Sequence, residues 1–445
     1  MAIYSIIRLL MKFLKALIPS VILKVIRPIY HGAVALMADY YFDEPSKELT
    51  VIGITGTAGK STTTQMLSKM LNTAGKKCGF ITTVSFSDGN SEEINKHGLS
   101  MPGGWLLQKQ LKEMLKNGCK FAVVECTSEG LAQNRHLGID FDYALFTNLS
   151  PAHTQAHNGW ENYKTAKGKL FAAVGISQTG IAKKTIAANL DDESAEYFLA
   201  FPAAQKLGVS FFGKTSAICN KVYQASKTEK GFILGQTDFL VHLLGEFNKY
   251  NAALSVVAAE SLGVSLEDCQ KALVELKVIP GRMEEIENSK GFRVFVDYGC
   301  EPVSFTAALK AAAALPHQKL IHVFGSTGGH RDSQKRFLFG QASAGLANQI
   351  IITNDDVYDS DPEKIAKDIE AGVKLAYSKE HIANSCKIIL DRREAIQYAL
   401  AIAKQGDLVL ITGKGSEQFL VLPGNSRIVW DDRSVVKELL SNKKI

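Results

Sequence analysis

An apolar run, Leu49-Thr50-Val51-Ile52-Gly53-Ile54-Thr55-Gly56, opens directly into Gly56-Thr57-Ala58-Gly59-Lys60-Ser61, and residues 61–71 continue at helical spacing. A short run of this kind, ending in glycine, reads as a buried parallel strand that enters a loop. Glycines let consecutive backbone N–H groups turn toward phosphate oxygens, and the helix that follows adds the positive end of its dipole. Gly56, Thr57, Ala58, Gly59, Lys60, Ser61 and Thr62 are therefore the expected nucleotide cradle. Lys60 is expected to reach the β- and γ-phosphates of ATP, and the Ser61 hydroxyl to bind Mg²⁺. The spacing is the shorter G-x-x-G-K-S form, because Ile54 stands where the longer motif has its first glycine.

Further buried strands are predicted at Phe121–Val124 and Tyr143–Phe146, and a second series at Arg293–Val296, Leu320–Phe324, Gln349–Thr353 and Leu408–Thr412. Apolar strands that alternate with helical stretches give an α/β class with parallel sheets. The two series meet at Val278-Ile279-Pro280-Gly281-Arg282. The expected layout is a helical, apolar and basic segment (1–47), a central P-loop domain (48–279) and a C-terminal Rossmann-like α/β domain (280–445). Several domains suit a chain of 445 residues.

Charge is uneven. The net charge is +6, and residues 1–38 hold Arg8, Lys12, Lys15, Lys24 and Arg27 with no acid. The remainder is nearly neutral, which argues against a general nucleic-acid footprint. The seven cysteines are dispersed with no C-x-x-C pair, as in a reducing cytoplasm. In the first segment Ile6, Ile7, Leu10, Met11, Leu14, Leu17 and Ile18 recur at helical spacing, and Pro19 and Pro28 are expected to break the pattern. The charge-free stretches are too short to span a bilayer. Two readings stand: a basic amphipathic helix on anionic lipid, or a helix packed on the protein itself or on a partner.

Glu125 ends the second strand, where a carboxylate can face the loop and serve Mg²⁺ directly or through water. Thr147-Asn148-Leu149-Ser150, His153, His157 and Lys167 follow. Taken singly, His153 is as well a structural histidine and Lys167 a solvated helix residue. In order, these motifs resemble the Mur ligases, most closely the MurE type, from about residue 50 to 435. The resemblance rests also on Glu125-Cys126-Thr127-Ser128-Glu129-Gly130-Leu131 with Arg135, Asn189 with Asp191-Asp192, and Gly245-Glu246-Phe247-Asn248 with Asn251. It continues through Pro280-Gly281-Arg282-Met283-Glu284, Asp297-Tyr298, Gly325 with Arg331-Asp332, and Gly413-Lys414-Gly415-Ser416-Glu417.

The resemblance implies roles. Lys60, Glu125, His153 and Lys167 would be catalytic, with Lys167 converted by CO₂ to a carbamate. Ser61, Glu125, His153 and Lys167 would hold two Mg²⁺ ions. Asn248, Asn251, Arg282 and Asp297 would border the adenosine. Ser128 and Arg135 would hold the acceptor, and Arg331, Gly413 and Glu417 the incoming amino acid or the closing face. The implied reaction joins a muropeptide-like carboxylate to an amino acid through an acyl phosphate, in a cytoplasmic monomer with peripheral membrane contact open through residues 1–38. Alternatives are a folylpolyglutamate- or cyanophycin-synthetase-like amide ligase, or a P-loop nucleotide-binding protein without ligation.

The departures from the family pattern fall at the substrate ends. About 47 residues precede the first strand, against roughly a hundred in the family's uridine-nucleotide domain, so the acceptor is expected to lack a UDP head. The Asp-His-x-Asp stretch is Ala152-His153-Thr154-Gln155, and Cys300 and Ser416 replace histidines. The Asp-Asn-Pro-Arg selector is Asp355-Asp356-Val357-Tyr358, which removes the bidentate partner of a distal carboxylate. Diaminopimelate is then not expected to bind in the family's usual way.

Overall fold

The predicted first strand is β1 (Thr50–Thr55), buried along its whole length at the middle of a large sheet. The structure, a computed structural model, describes residues 20–96, 98, 100–151, 155–176, 183–329, 333–376 and 385–441, with backbone alone for 20–25. Helix α1 (Ser20–Tyr41) precedes β1. Helix α2 (Lys60–Thr73) follows the phosphate loop and stops at Ala74, before Gly75 with its φ of 72°. Then come β2 (Cys78–Ile81), β3 (Ser85–Ser87), β4 (Glu92–Ile94), α3 (Gly104–Lys116), β5 (Phe121–Glu125), α4 (Ser128–Ala132) and β6 (Phe141–Phe146). Helix α5 (Trp160–Ile176), β7 (Thr185–Asn189), α6 (Ala195–Leu199) and β8 (Gln205–Ser210) continue the series. A meander of β9 (Lys221–Lys227), β10 (Gly231–Leu234) and β11 (Thr237–Leu240) follows, then α7 (Phe247–Ser261) and α8 (Leu266–Glu275).

Among the described residues, eleven strands form one sheet in the order β11-β10-β9-β8-β7-β6-β1-β5-β2-β3-β4. The run from β9 to β2 is parallel, and the meanders at its two ends pair antiparallel. Ile52 and Ile54 of β1 face a core with Met66, Leu67 and Val256, while Val51 faces the opposite core with Leu107, Leu170 and Phe171. Side chains in a strand alternate between faces, so α2 and α5 cover opposite sides of β1.

A second sheet begins at β12 (Glu284–Glu285) and β13 (Arg293–Asp297). After α9 (Pro302–Ala313) come β14 (Leu320–Phe324), α10 (Gln334–Ala344), β15 (Gln349–Ile352), α11 (Pro362–Ala376), β16 (Cys386–Ile388), α12 (Arg392–Ile402) and β17 (Leu408–Thr412). Strands β18 (Phe419–Val421) and β19 (Arg427–Val429) form a hairpin before α13 (Asp432–Ser441). The order is β12-β13-β17-β14-β15-β16, parallel except for β12. The α/β class with two parallel-rich sheets and a leading helix is what the sequence predicts.

One feature of α1 differs from expectation, and another concerns its C-terminal half alone. The helix runs through Pro28 without a break. Proline removes one N–H bond from the ladder, a loss that packing outweighs in a helix of 22 residues. Gly32, Val34, Ala35 and Ala38 are buried, and Ala35 lies so close to Gly104 that a Cβ there would sit 2.4 Å from it. Residues 32–38 therefore dock on the first body; residues 1–19 lie outside the described part.

Candidate active site

The phosphate loop sits at the C-terminal end of β1. Its shape requires glycine at residue 59, where φ is 84° and an added Cβ would lie 2.2 Å from the Asn251 side chain. The segment after β6 straps the loop down. Thr57 N–H donates to the Asn148 carbonyl (2.8 Å), Ala58 N–H to Asn148 Oδ1 (3.0 Å), and the Thr147 hydroxyl to the Ala58 carbonyl (2.7 Å). Tyr163 OH lies 3.0 Å from Thr57 Oγ1. These bonds hold the loop in one conformation, so its free N–H groups are preset for an anion.

Two lysines converge on one backbone carbonyl. Lys60, at the start of α2, reaches Gly56 O at 3.1 Å; Lys167, on α5 across the sheet, reaches the same oxygen at 2.7 Å. Burial lowers the proton affinity of both ammonium groups. For Lys167 the neighbouring Lys60 charge lowers it further, well below the ordinary lysine value. Lys167 also lies over the Tyr163 ring, 4.6 Å from its centroid. A buried lysine of this kind is readily neutral and nucleophilic.

Glu125 closes β5 beside β1 and is buried. Its carboxylate accepts from Ser61 Oγ (2.7 Å), from Thr83 N–H (2.9 Å) and from Thr83 Oγ1 (3.0 Å). Hydroxyl and carboxylate oxygens side by side are hard donors of the type Mg²⁺ prefers. Among the described residues no cluster of three or more His, Cys, Asp or Glu side chains forms. His153 lies outside the described residues, so the predicted metal set is represented by Ser61, Glu125 and Lys167.

The other predicted residues gather around one cleft of about 1270 Å³ lined from both sheets. Asn248 and Asn251 on α7 are joined by a 3.0 Å bond, with Asn251 against Gly59. Arg282 stacks on Tyr298 at 4.3 Å and donates to Ser61 Oγ at 3.2 Å, bridging the two bodies. Asp297 accepts from the N–H groups of Met283 (2.8 Å) and Gly299 (2.7 Å), and burial raises its proton affinity. Ser128 Oγ lies 3.0 Å from His157 Nε2, and Arg135 Nη1 donates to the Met101 carbonyl at 2.5 Å. Gly413 and Glu417 line the opposite wall; Arg331 lies outside the described residues.

Sequence reasoning overlooked Thr83, Tyr163 and Lys414. Lys414 bonds Asp356 Oδ1 at 2.9 Å and Glu417 Oε2 at 2.5 Å. Burial opposes its charge, but Glu417, Asp355 and Asp356 outweigh that and hold it protonated. Its place in Gly413-Lys414-Gly415-Ser416-Glu417 was the available signal, as for Tyr163 was its place four residues before Lys167 on α5; Thr83 has none, because its role arises from folding alone.

Comparison with known proteins agrees with this geometry. Residues 54–259 match the Mur ligase middle domain, and residues 281–415 match the Mur ligase, glutamate ligase domain. The chain is 34% identical to the UDP-N-acetylmuramoyl-L-alanyl-D-glutamate--2,6-diaminopimelate ligase of Geobacillus kaustophilus, over 92% of this chain and 83% of that protein. It is 35% identical to the Aquifex aeolicus enzyme of the same name, over 92% and 81%. A solved structure of a ligase so named is 30% identical, with a TM-score of 0.56 over 88% of this chain and 78% of that one. The folylpolyglutamate synthase of Mycobacterium tuberculosis shares the fold at 15% identity, with a TM-score of 0.66 over 92% and 95%. By sequence, domain content and fold, the chain belongs to the Mur ligase family.

Proposed function

We propose that this protein is an ATP-dependent carbon–nitrogen ligase of the EC 6.3.2 type, MurE-like, that joins a muropeptide-like carboxylate to an amino acid. The observation that carries the reading is the meeting of Lys60 and Lys167 at the Gly56 carbonyl, beside the Ser61–Glu125 pair. A kinase or nucleotide switch has no use for a second buried lysine there, its proton affinity lowered by burial and by Lys60.

In the first step an acceptor carboxylate oxygen attacks the γ-phosphorus in line. The bond to the bridging oxygen breaks, ADP departs with the electron pair, and an acyl phosphate forms. Lys60 and the preset N–H groups offset charge on the transferring phosphoryl group. In the second step the amine attacks the acyl carbon, the amide forms, and phosphate leaves as the nitrogen loses its proton. Mg²⁺, a cofactor of the family, would be held by Ser61 and Glu125 and would neutralise phosphate charge. Lys167 would add CO₂ at its neutral amine with loss of one proton, making an anionic oxygen donor for a second ion.

Ser128 and Arg135 would hold the acceptor, and the wall with Gly413, Lys414 and Glu417 would receive the amino acid. Water hydrolyses acyl phosphates, so closure of the second body over the loop, bridged by Arg282, protects the intermediate. This reading divides the chain at 47/48 and 279/280. It places a monomeric enzyme in the cytoplasm, in keeping with seven unpaired cysteines.

The test is release of ADP and phosphate with a panel of amino acids and carboxylate acceptors, with product mass as the second readout. Release should require both partners, and Lys167→Ala should abolish it. Wild-type turnover in Lys167→Ala would remove the role of that lysine. ATP hydrolysis indifferent to both partners would favour the P-loop protein without ligation.

A further inference from the structure

The wall of the cleft that carries Ser128 has a support behind it. Ser128 opens α4, shortly after Glu125 ends β5, and lines the cleft. Its Oγ lies 3.0 Å from Nε2 of His157, a buried residue in the turn that leads into α5. The His157 ring in turn lies 5.3 Å from the Tyr163 ring, whose hydroxyl meets Thr57 of the phosphate loop at 3.0 Å. Arg135 N–H donates to the Gly130 carbonyl at 3.0 Å, which folds the chain back and brings a cation to the same wall. His157 is not among the described residues that line the cleft, so it can act there only through Ser128.

Burial lowers the proton affinity of His157; the Glu129 charge opposes this and the Lys167 charge adds to it. A neutral imidazole carries one N–H, on Nδ1 or on Nε2, and the choice decides what Ser128 can do. With Nε2 bare, Ser128 spends its only proton on the ring and presents lone pairs to the cleft. An ionised carboxylate has no proton to meet them, and the two repel. With the proton on Nε2, the ring donates to Ser128 Oγ, and the hydroxyl proton is left for a carboxylate. Only the second arrangement agrees with the cation of Arg135 on the same wall.

We propose that His157 is a positioning residue: it donates from Nε2 to Ser128 Oγ and so aims the Ser128 hydroxyl proton at the acceptor carboxylate. His157 touches no reacting atom. It fixes one of the two donors that hold the carboxylate at the γ-phosphate, and such orientation is worth more than the hydrogen bond alone. The role rests on the ligase reading of the cleft, whereas the proton on Nε2 can be read in the free protein.

The first test needs no substrate. Nitrogen-15 NMR of the full chain with labelled histidine, at neutral pH and with His157→Gln to identify the signal, should show a proton on Nε2 of His157. A bare Nε2 would overturn the proposal. The second test is calorimetric binding of N-acetylmuramoyl-L-alanyl-D-glutamate, with and without a UDP head, in the presence of a non-hydrolysable ATP analogue. His157→Phe keeps the ring but has no N–H, and should weaken acceptor binding roughly tenfold while leaving analogue binding unchanged. His157→Gln, which retains an N–H donor, should stay within about threefold of wild type. Ser128→Ala should weaken acceptor binding at least as much as His157→Phe, and Ser128→Ala/His157→Phe no further. Additive losses, or equal loss of acceptor and analogue in His157→Phe, would overturn the positioning role. Unchanged acceptor binding in Ser128→Ala, or no acceptor binding by the wild type, would instead remove the acceptor from this wall and the role with it, whatever the NMR shows.

Discussion

At the scale of single residues, the phosphate loop depends on a glycine and on a strap. Residue 59 has a left-handed φ and stands against Asn251. In Gly59→Ala the backbone strain of about 1–3 kcal/mol and the clash with Asn251 act together. ATP binding, measured with a fluorescent analogue, should weaken at least tenfold, about 1.4 kcal/mol. Affinity equal to wild type would mean that Asn251 moves freely and that the loop is not preset. That Gly56 to Ser61 and Glu125 lie together at the end of β1 was legible from the spacing of the loop and the end of the second strand; Lys167 joins them only through the resemblance, since alone it reads as a solvated helix residue. Thr83, Tyr163 and the Asn148 strap were not legible, since a hydrogen bond across 90 or 106 residues leaves no local pattern. The substitutions at Asp355-Asp356-Val357-Tyr358 were visible. That Asp356 would engage Lys414 was not.

At the scale of elements, the apolar runs identified β1, β5, β13, β14, β15 and β17 to within about a residue and β6 all but its first two residues, because each strand is buried on both faces. The meander from β9 to β11 and the short strands β3 and β4 escaped notice, where exposed residues dilute the apolar signal, and so did the buried strands β2, β7 and β8, whose apolar runs are short or broken by polar residues. Pro28 misled in the other direction: a proline is a breaker in isolation, and α1 is held by packing. Packing also sets where α5 lies. Gly53 in β1 admits that helix so closely that a Cβ would meet Leu170 at 2.4 Å and Phe141 at 3.0 Å. Gly53→Val should therefore push α5 outward, cost about 1–3 kcal/mol of stability, and displace Lys167 from the Gly56 carbonyl. The expected result is a lower chemical denaturation midpoint and a ligation rate that falls further than the folded fraction. A rate that only tracks the folded fraction would show that Lys167 keeps its place.

At the scale of the whole molecule, acid stability should report a histidine buried within the second sheet. His322 on β14 is fully buried, 3.0 Å from Ser343 Oγ and 3.1 Å from Thr412 Oγ1. Burial pushes its pKa down to about 3, while the unfolded chain takes up the proton near pH 6.5. The folded state is therefore penalised as pH falls from about 6.5 toward 3, by about 1.4 kcal/mol per pH unit. His136, pushed down to about 4 by burial, adds to the same slope. Asp297 and Glu417, with proton affinity raised by burial, oppose it, so the diagnostic is a difference. His322→Asn should be less stable at neutral pH yet lose less stability on acidification, read as urea midpoints across that window. An unchanged slope would show that His322 is protonated in the native state.

The strand order has one more consequence. From β1 the chain crosses to β2 and β5 on one side, and from β6 it proceeds to β7 and β8 on the other, with α2 and α5 on opposite faces. Where two such windings diverge, the sheet leaves a crevice at its carboxyl edge before any side chain is chosen. Phosphate chemistry is thus a property of topology, and the identity of what is joined is written in the loops that rim the crevice. Exchanging those loops between relatives should redirect the ligation while leaving its engine intact.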